Sequence, residues 1–111
     1  MFEDDGVRIR HILDAAREAV AFSQGRTRAD LNTDRKLNLS LVRLLEIIGE
    51  AARAISPQFR QKHSDLPWKS MVGMRDRLIH GYFDVNLDVV WETVAQDLPS
   101  LIAQLEKIVE D

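Results

Sequence analysis

Apolar side chains recur every three or four residues along most of the chain, which is the spacing that buries one side of a helix. In residues 4 to 23 the apolar side consists of Ile9, Ile12, Leu13, Ala16 and Val20. This pattern predicts a first amphipathic helix, and Gly25 is positioned to end it. The polar segment that follows has Thr27 and Asp30 at capping-box spacing, so we expect one short helical turn around Leu31.

The widest apolar stripe lies between Leu37 and Ile55 and marks the central helix of a bundle. Its other side carries charged residues three or four positions apart, namely Arg43, Glu46, Glu50 and Arg53. This spacing favours ion pairs along one solvent-exposed helix face. Ser56 and Pro57 then fit the N-cap and first position of a short helix through about Lys62.

The remainder of the chain predicts two further helices. Asp65-Leu-Pro-Trp68 repeats the order of cap and proline and opens a helix that packs through Trp68, Met71, Val72, Leu78 and Ile79. From Leu87 to Val109 one apolar side continues, with Asn86 as the cap. Pro99 is expected to bend or briefly break this helix near Asp97, because proline lacks the backbone donor.

These elements predict an all-α fold, an antiparallel four-helix bundle with short additional helices. The chain has 111 residues, 45% of them apolar, which suffices for one core, so we expect a single domain over residues 1–111. Five glycines, three prolines and the lack of strictly alternating apolar runs argue against a sheet.

Composition excludes several classes of site. The sequence contains no cysteine, which rules out disulfides and thiolate zinc sites. No carboxylates or histidines have metal-ligand spacing, so neither a metal nor another cofactor is expected. The N-terminus is acidic, unlike a signal peptide, and no apolar run could cross a bilayer. We therefore expect a cytoplasmic protein that does not insert into membranes.

The charge is distributed unevenly along the chain. The formal net charge is −3, yet residues 57–80 carry five cations against Asp65 and Asp76. These cations are Arg60, Lys62, Lys69, Arg75 and Arg77. Such a basic segment could bind one or a few phosphates, although it is too small for a long duplex.

The segment Met74–Phe83 combines charged and apolar residues in an order that packing does not require. Arg75 and His80 lie five positions apart, and on a straight helix such residues point roughly 140° apart. Gly81 favours a left-handed helix end, which would leave His80 free to turn towards Arg75. Asp76 lies four residues before His80 and is expected to orient its imidazole.

Together these residues fit the cleavage of RNA without a metal ion. Such cleavage needs a base that takes the proton of the 2′-hydroxyl group and a cation that stabilises the additional negative charge at phosphorus. His80 has the chemistry of the base and Arg75 that of the cation. On spacing alone, the simpler interpretation is a surface arginine and a helix-capping histidine.

The second half of the chain resembles the HepT-like toxins of the HEPN superfamily over most of its length. The family pattern is an arginine, an adjacent polar residue, a histidine five positions after the arginine and a tyrosine two further on. Here these positions read Arg75, Asp76, His80 and Tyr82. Flanking blocks agree in order and spacing: Ile47-Ile-Gly-Glu-Ala-Ala52, Leu66-Pro-Trp68, Val90-Trp91 and Asp97-Leu-Pro-Ser-Leu101.

This resemblance implies a homodimer of HEPN-like helical bundles whose motif helices meet and line a shared cleft with two copies of Arg75 and His80. It further implies a metal-independent endoribonuclease. His80 would handle the proton transfers, Arg75 would bind the scissile phosphate, and Asp76 would orient the pair. The expected products end in a 2′,3′-cyclic phosphate, and DNA would not be cleaved because it lacks the nucleophile.

The resemblance also implies a partner, a minimal nucleotidyltransferase antitoxin that is encoded beside the toxin. In the family this partner transfers AMP to the motif tyrosine, which makes Tyr82 the candidate acceptor. A bulky anionic nucleotide two residues from His80 would fill the cleft and repel an RNA phosphate. The simpler interpretation of Tyr82 is an aromatic side chain that packs with Phe83 over the end of the bundle.

A function of another class stays open, namely a non-catalytic helical module that binds a nucleotidyltransferase or a nucleotide. The acidic net charge suits protein partners better than RNA. A purely structural bundle would leave the polar motif unexplained. We expect Gly49 to let two helices approach closely, and Glu50 to pair with an arginine near the cleft or with Arg53.

Overall fold

A computed structural model describes residues 3–81 and 84–110, and within them the chain is almost entirely helical. The helices are α1 (Glu3–Ser23), α2 (Asp30–Thr33), α3 (Arg35–Arg53), α4 (Pro57–Lys62), α5 (Trp68–Val72), α6 (Met74–Leu78), α7 (Leu87–Glu92) and α8 (Leu98–Glu110). A π-helical segment, Thr93–Asp97, joins α7 to α8. Two short antiparallel strands, β1 (Ile79–Gly81) and β2 (Asp84–Val85), are the one departure from the predicted all-α fold in the described part.

The bundle is built from α1, α3, the α5–α6 unit and the α7–α8 unit. α1 packs against both α3 and α8, while α5 and α6 pack against α3. Each of these units contributes to one core, whose largest fully buried side chains are Ile9, Ile12, Leu31, Leu41, Leu45, Ile48, Met71, Leu78, Val90, Val94, Leu98 and Leu105. The predicted four-helix bundle with short additional helices is therefore confirmed, with α2 and α4 as the additions.

The ends of α1 and α2 follow the local sequence signals. Gly25 has a φ of +72°, the left-handed conformation that glycine adopts without strain, and the chain leaves α1 there. The Asp30 carboxylate accepts a hydrogen bond of 2.7 Å from the backbone N–H of Thr27, which lowers the pKa of Asp30. Arg26 donates to Asp34 over 2.7 Å and so lowers the pKa of this second carboxyl group.

The junction between α3 and α4 forms hydrogen bonds with the start of α1. As predicted, the Ser56 hydroxyl caps α4 by accepting from the backbone N–H of Phe59 at 3.2 Å. The same hydroxyl donates to Asp5 over 2.7 Å, and the backbone N–H of Ser56 donates to Asp5 over 2.9 Å. Asp5 is only 2% exposed, so it is a buried carboxylate whose oxygens are satisfied by one residue. This contact joins residues 51 positions apart and was not predicted.

The long C-terminal helix changes its winding before Pro99. Residues Thr93–Asp97 are π-helical, and regular α-helix resumes at Leu98. Proline cannot donate the backbone hydrogen bond that a regular turn requires, and a wider turn just before it accommodates the missing donor. The irregularity predicted near Asp97 is confirmed.

The helix predicted to start after Asp65 differs from expectation in two ways. Asp65 does not cap it, because Pro67 occupies the N-cap position with non-helical φ and ψ of −81° and 65°, and no side chain caps the first turn. Gly73 then divides the helix into α5 and α6. Asp65 contacts α8 through its backbone, because its carbonyl oxygen accepts a hydrogen bond of 3.2 Å from the side chain of Gln104.

The prediction of a left-handed helix end at Gly81 is wrong. Helix α6 ends at Leu78, and Ile79 is already extended with φ −120° and ψ 116°. Its branched side chain favours that conformation, and Ile79 pairs with Val85 across the two strands. The backbone N–H of Asn86 donates to the carbonyl of Leu78 over 2.8 Å, which satisfies an acceptor at the end of α6.

Of the helices within the described ranges, none combines the length and the apolar character that a bilayer span requires.

Candidate active site

The side chains of Arg75 and Asp76 line a cavity of about 320 Å³ between α3 and the α5–α6 unit. The other lining residues are Gly49, Glu50, Arg53 and Val72. The cavity therefore combines two guanidinium groups and two carboxylates with a small apolar wall. Such a mixture of charges suits a ligand that has both anionic and hydroxyl groups.

Gly49 brings the two walls of this cavity together. A Cβ atom at this position would lie 3.2 Å from the carbonyl oxygen of Met71 and 3.7 Å from the Cβ atom of Met74. The absence of a side chain thus lets α3 approach the backbone of α5 and α6. The predicted role of Gly49 is confirmed, and it places α3 directly beside the backbone of Arg75, whose nitrogen lies 3.8 Å from the same point.

Arg75 reaches across the bundle towards α3. Its Nε atom lies 3.6 Å from a carboxylate oxygen of Glu46, while its side chain is 59% exposed. The predicted ladder along α3 is therefore wrong for Glu46, whose partner lies on another helix. Arg43 and Glu50 do pair on α3, at 3.2 Å, so Glu50 has Arg43 rather than Arg53 as its partner. Because the contact uses Nε, the two terminal amino groups of Arg75 stay available for a ligand.

His80 lies on β1 and is 54% exposed. The predicted contact with Asp76 is wrong, since the carboxylate within 4 Å of its Nδ1 atom, among the described residues, belongs to Asp84 on β2 at 3.9 Å. The physical reason is the helix end at Leu78. Once the chain is extended, Asp76 and His80 no longer lie one turn apart on one helix, whereas the pairing of β1 with β2 brings Asp84 close.

Among the described residues of one subunit, His80 does not line the cavity at α3 that Arg75 borders. The two side chains also face different carboxylates, Glu46 and Asp84. Tyr82, the predicted acceptor of AMP, lies outside the described residues.

A larger cavity, of about 380 Å³, lies on the other side of the α5–α6 unit, against the π-helical segment and α8. Its lining includes Arg77, Met71, Met74 and Leu98 but neither Arg75 nor His80. The larger of these two cavities is therefore not the one that the motif residue Arg75 lines. In the described part of the chain, no group of three or more histidine, aspartate or glutamate side chains is arranged to hold a metal ion.

Glu46, Arg53 and Asp84 are the site residues that the sequence analysis did not select. Glu46 and Arg53 stand three positions before and four positions after Gly49, so all three lie on one face of α3. A glycine that permits close helix contact was therefore a usable signal, because its neighbours at these spacings face the same partner. Asp84 carried no comparable signal, since its proximity to His80 depends on the strand pair.

Comparisons with known proteins agree with this architecture. The family model described as Ribonuclease HepT-like matches residues 12–108. A candidate RNase of Caldanaerobacter subterraneus is 41% identical over 102 residues, which cover 92% of this chain and 91% of that protein. A protein of Thermococcus cleftensis named "Probable ribonuclease HepT" is 46% identical over 79 residues, 71% of this chain and 72% of its own length. A candidate RNase of Methanocaldococcus jannaschii is 36% identical over 95 residues, with 86% and 87% coverage.

No solved structure matches the chain significantly. The family match covers most of the sequence, and the relatives align over most of their own lengths as well as over this chain. The bundle, the cavity beside Arg75 and these matches lead to one assignment: the chain belongs to the HepT-like ribonuclease family.

Proposed function

We propose that the protein is a metal-independent endoribonuclease and the toxin half of a toxin–antitoxin pair, in which Arg75 and His80 act on one phosphodiester of RNA. The observation that carries the proposal is the position of Arg75 in a protein of this family. Its guanidinium borders a cavity, is contacted at Nε by Glu46, and has its terminal amino groups directed to no other described carboxylate. A toxin that acts on RNA would meet its substrate in the cytoplasm, which is the location we propose.

The reaction is a transfer within the RNA strand. The 2′-hydroxyl oxygen attacks the adjacent phosphorus, and a neutral imidazole of His80 takes the hydroxyl proton. Arg75 stabilises the negative charge of the five-coordinate phosphorus with paired N–H donors. The bond from phosphorus to the 5′-oxygen then breaks, and a protonated imidazole supplies the proton for this leaving group. The products are a 2′,3′-cyclic phosphate and a 5′-hydroxyl end.

Asp84 takes the orienting role that the sequence assigned to Asp76. Its carboxylate lies 3.9 Å from Nδ1 of His80, and a rotation of these two exposed side chains would close this distance to a hydrogen bond, which leaves the Nε2 atom to exchange protons with RNA. Glu46 has the corresponding role for Arg75, because it contacts Nε and is itself only 21% exposed. Asp76, on the wall of the cavity, is positioned to accept a hydrogen bond from a ribose hydroxyl group.

A homodimer completes the site in this proposal. His80 is absent from the described lining of the cavity that Arg75 borders, and in this proposal Arg75 of one subunit acts with His80 of the partner subunit. Half-buried apolar side chains flank both residues, namely Val72 beside Arg75 and Ile79 and Val85 on the strands. A second copy of the chain that covers these side chains would bring the two motifs together.

Cleavage of single-stranded RNA in the presence of EDTA tests the proposal. We expect the purified protein to release fragments with 2′,3′-cyclic phosphate ends, and Arg75→Ala or His80→Ala to reduce the rate by at least about a hundredfold. His11→Ala is the matched control, since His11 is exposed on α1 and should leave the rate unchanged. Full activity of either motif variant would refute the assignment. Binding of a nucleotidyltransferase without RNA cleavage would instead favour the non-catalytic module that the net charge of −3 suggests.

A nucleotidyltransferase antitoxin that modifies Tyr82 is the second part of the proposal. The tyrosine oxygen forms a bond to the α-phosphorus of ATP, pyrophosphate leaves, and the hydroxyl proton is lost to the partner enzyme's base. The attached AMP would stand two residues from His80 and repel RNA. After incubation with the partner and ATP we expect the mass to rise by one or more AMP units and cleavage to stop. An unchanged mass, or equal labelling of Tyr82→Phe, would contradict this site.

A further inference from the structure

Arg53 also lines the cavity beside Arg75, and the reaction above does not use this second arginine. Arg53 lies in the last turn of α3, and Arg75 lies on α6, so two different helices supply the cations. The two chain positions are brought together by the close approach of α3 to α5 and α6 at Gly49. Two cations from different helices on one cavity suit an anionic ligand.

The charge of Arg53 is not used within the described part of the subunit. No described carboxylate lies within 4.0 Å of its guanidinium. Glu50, which lines the same cavity, pairs with Arg43 at 3.2 Å rather than with Arg53. Arg53 is exposed, so its side chain can turn to a ligand without leaving a buried group unpaired.

Arg60 offsets the negative partial charge at the end of α3, which favours a negative ligand there. A terminal amino group of Arg60 donates to the backbone carbonyls of Ala52 and Arg53, both at 2.9 Å. The free carbonyls of a helix end carry a partial negative charge that would repel an anion. Arg60 is itself held over the ring of Trp68, with 5.9 Å between the guanidinium carbon and the ring centre. The carbonyls beside Arg53 are therefore masked by a fixed cation.

The carboxylates of the cavity fit the sugar rather than the phosphate. Glu50 and Asp76 line it together with the two arginines, and ionised carboxylates accept hydrogen bonds from hydroxyl groups. A ribose unit of RNA carries a 2′-hydroxyl donor that DNA lacks. The volume of about 320 Å³ is at the small end of ligand sites, which suits one sugar-phosphate unit.

We infer that Arg53 binds the backbone phosphate that neighbours the scissile one, so that the cavity holds a ribose-phosphate unit of single-stranded RNA. This inference rests on the proposed ribonuclease function, because Arg75 defines which phosphate is scissile. Arg53 is thus a substrate-binding residue that fixes the register of the strand, whereas Arg75 acts on the reacting phosphorus.

Binding of a fluorescein-labelled single-stranded RNA to the His80→Ala protein tests this role without cleavage. We expect Arg53→Gln to weaken binding by about tenfold and to lower the slope of log affinity against log salt concentration by about 0.7, the value for one phosphate contact. Arg53→Lys should keep the slope and lose part of the affinity, because lysine keeps the charge without the paired donors. Arg35→Gln is the matched control, as Arg35 is exposed at the opposite end of α3.

The possible results distinguish a failure of this inference from a failure of the proposed ribonuclease function. If Arg53→Gln binds RNA with the affinity and salt slope of the Arg35→Gln control, while the wild type cleaves RNA, the inference is overturned and the ribonuclease proposal stands. If the wild type neither binds nor cleaves RNA, the proposed function fails and the inference fails with it. A loss confined to Arg53 supports the inference.

Discussion

Gly49→Ala probes the contact that builds the cavity, because the added methyl group would enter the space between α3 and the α5–α6 unit. The nearest atoms would be the carbonyl oxygen of Met71 at 3.2 Å, the Cβ atom of Met74 at 3.7 Å and the backbone nitrogen of Arg75 at 3.8 Å. Two of these belong to the backbone, which cannot turn aside as a flexible side chain can. The helices must therefore separate by a few tenths of an ångström.

The expected change in stability is a balance of two terms. Alanine favours an α-helix over glycine by about 1 kcal/mol, which would stabilise the variant. Overpacking of a close contact costs about 1–3 kcal/mol, which would destabilise it. We expect the second term to prevail by about 1 kcal/mol, equivalent to a fall in Tm of about 4 °C for a domain of this size. Displacement of Arg75 should lower kcat/KM for RNA on the order of tenfold.

Thermal unfolding at one fixed protein concentration and RNA cleavage together measure these effects. Gly81→Ala is the control for stability, since an added Cβ there meets no atom of the described residues within 4 Å and the backbone is not left-handed. We expect that control to keep its Tm within about 2 °C of the wild type. The close contact would be refuted if the Gly49→Ala protein were more stable than the wild type by the full helix preference of alanine, about 1 kcal/mol, and cleaved RNA at the normal rate.

Two further predictions concern the parts of the bundle that hold its ends. Asp5→Ala should lower the free energy of unfolding by about 2 kcal/mol, since two half-buried donors of Ser56 lose their acceptor, and urea denaturation beside the wild type measures the loss. In the folded state the pKa values of Asp30 and Asp34 are lowered from 3.8. The two carboxylates therefore stabilise the fold above the unfolded pKa, and this stabilisation is lost as the pH falls through the lower folded values. Arg26→Met should therefore flatten the fall in stability below about pH 4, and a variant whose free energy of unfolding falls as steeply with pH as that of the wild type would contradict this.

The helices could be predicted because each carries its own signals. The stripe of α3 has a helical period, Ser56 and Pro57 set the start of α4, and Gly25 ends α1. These signals act over one or two turns, because helix capping and backbone preference depend on residues close together in the sequence. The prediction succeeded wherever neighbours along the chain decided the conformation.

The candidate site could be predicted only in its residue types. Arg75 and His80 followed from the motif, but their partners did not, because Glu46 and Asp84 are brought close by other elements. Gly81 was interpreted as a helix end from its own conformational freedom. The extended Ile79 and the hydrogen bond from Asn86 to Leu78 end the helix earlier instead, and both depend on pairing with a later segment.

We expect Arg75 of one subunit and His80 of the partner subunit to act on the same phosphate. Mixing inactive Arg75→Ala and His80→Ala proteins under conditions that exchange subunits distinguishes this shared site from a site within one subunit. Random exchange makes half of the dimers mixed, and each mixed dimer has one intact site, so about a quarter of the wild-type cleavage rate should return. A mixture that forms mixed dimers and stays inactive would contradict the shared site.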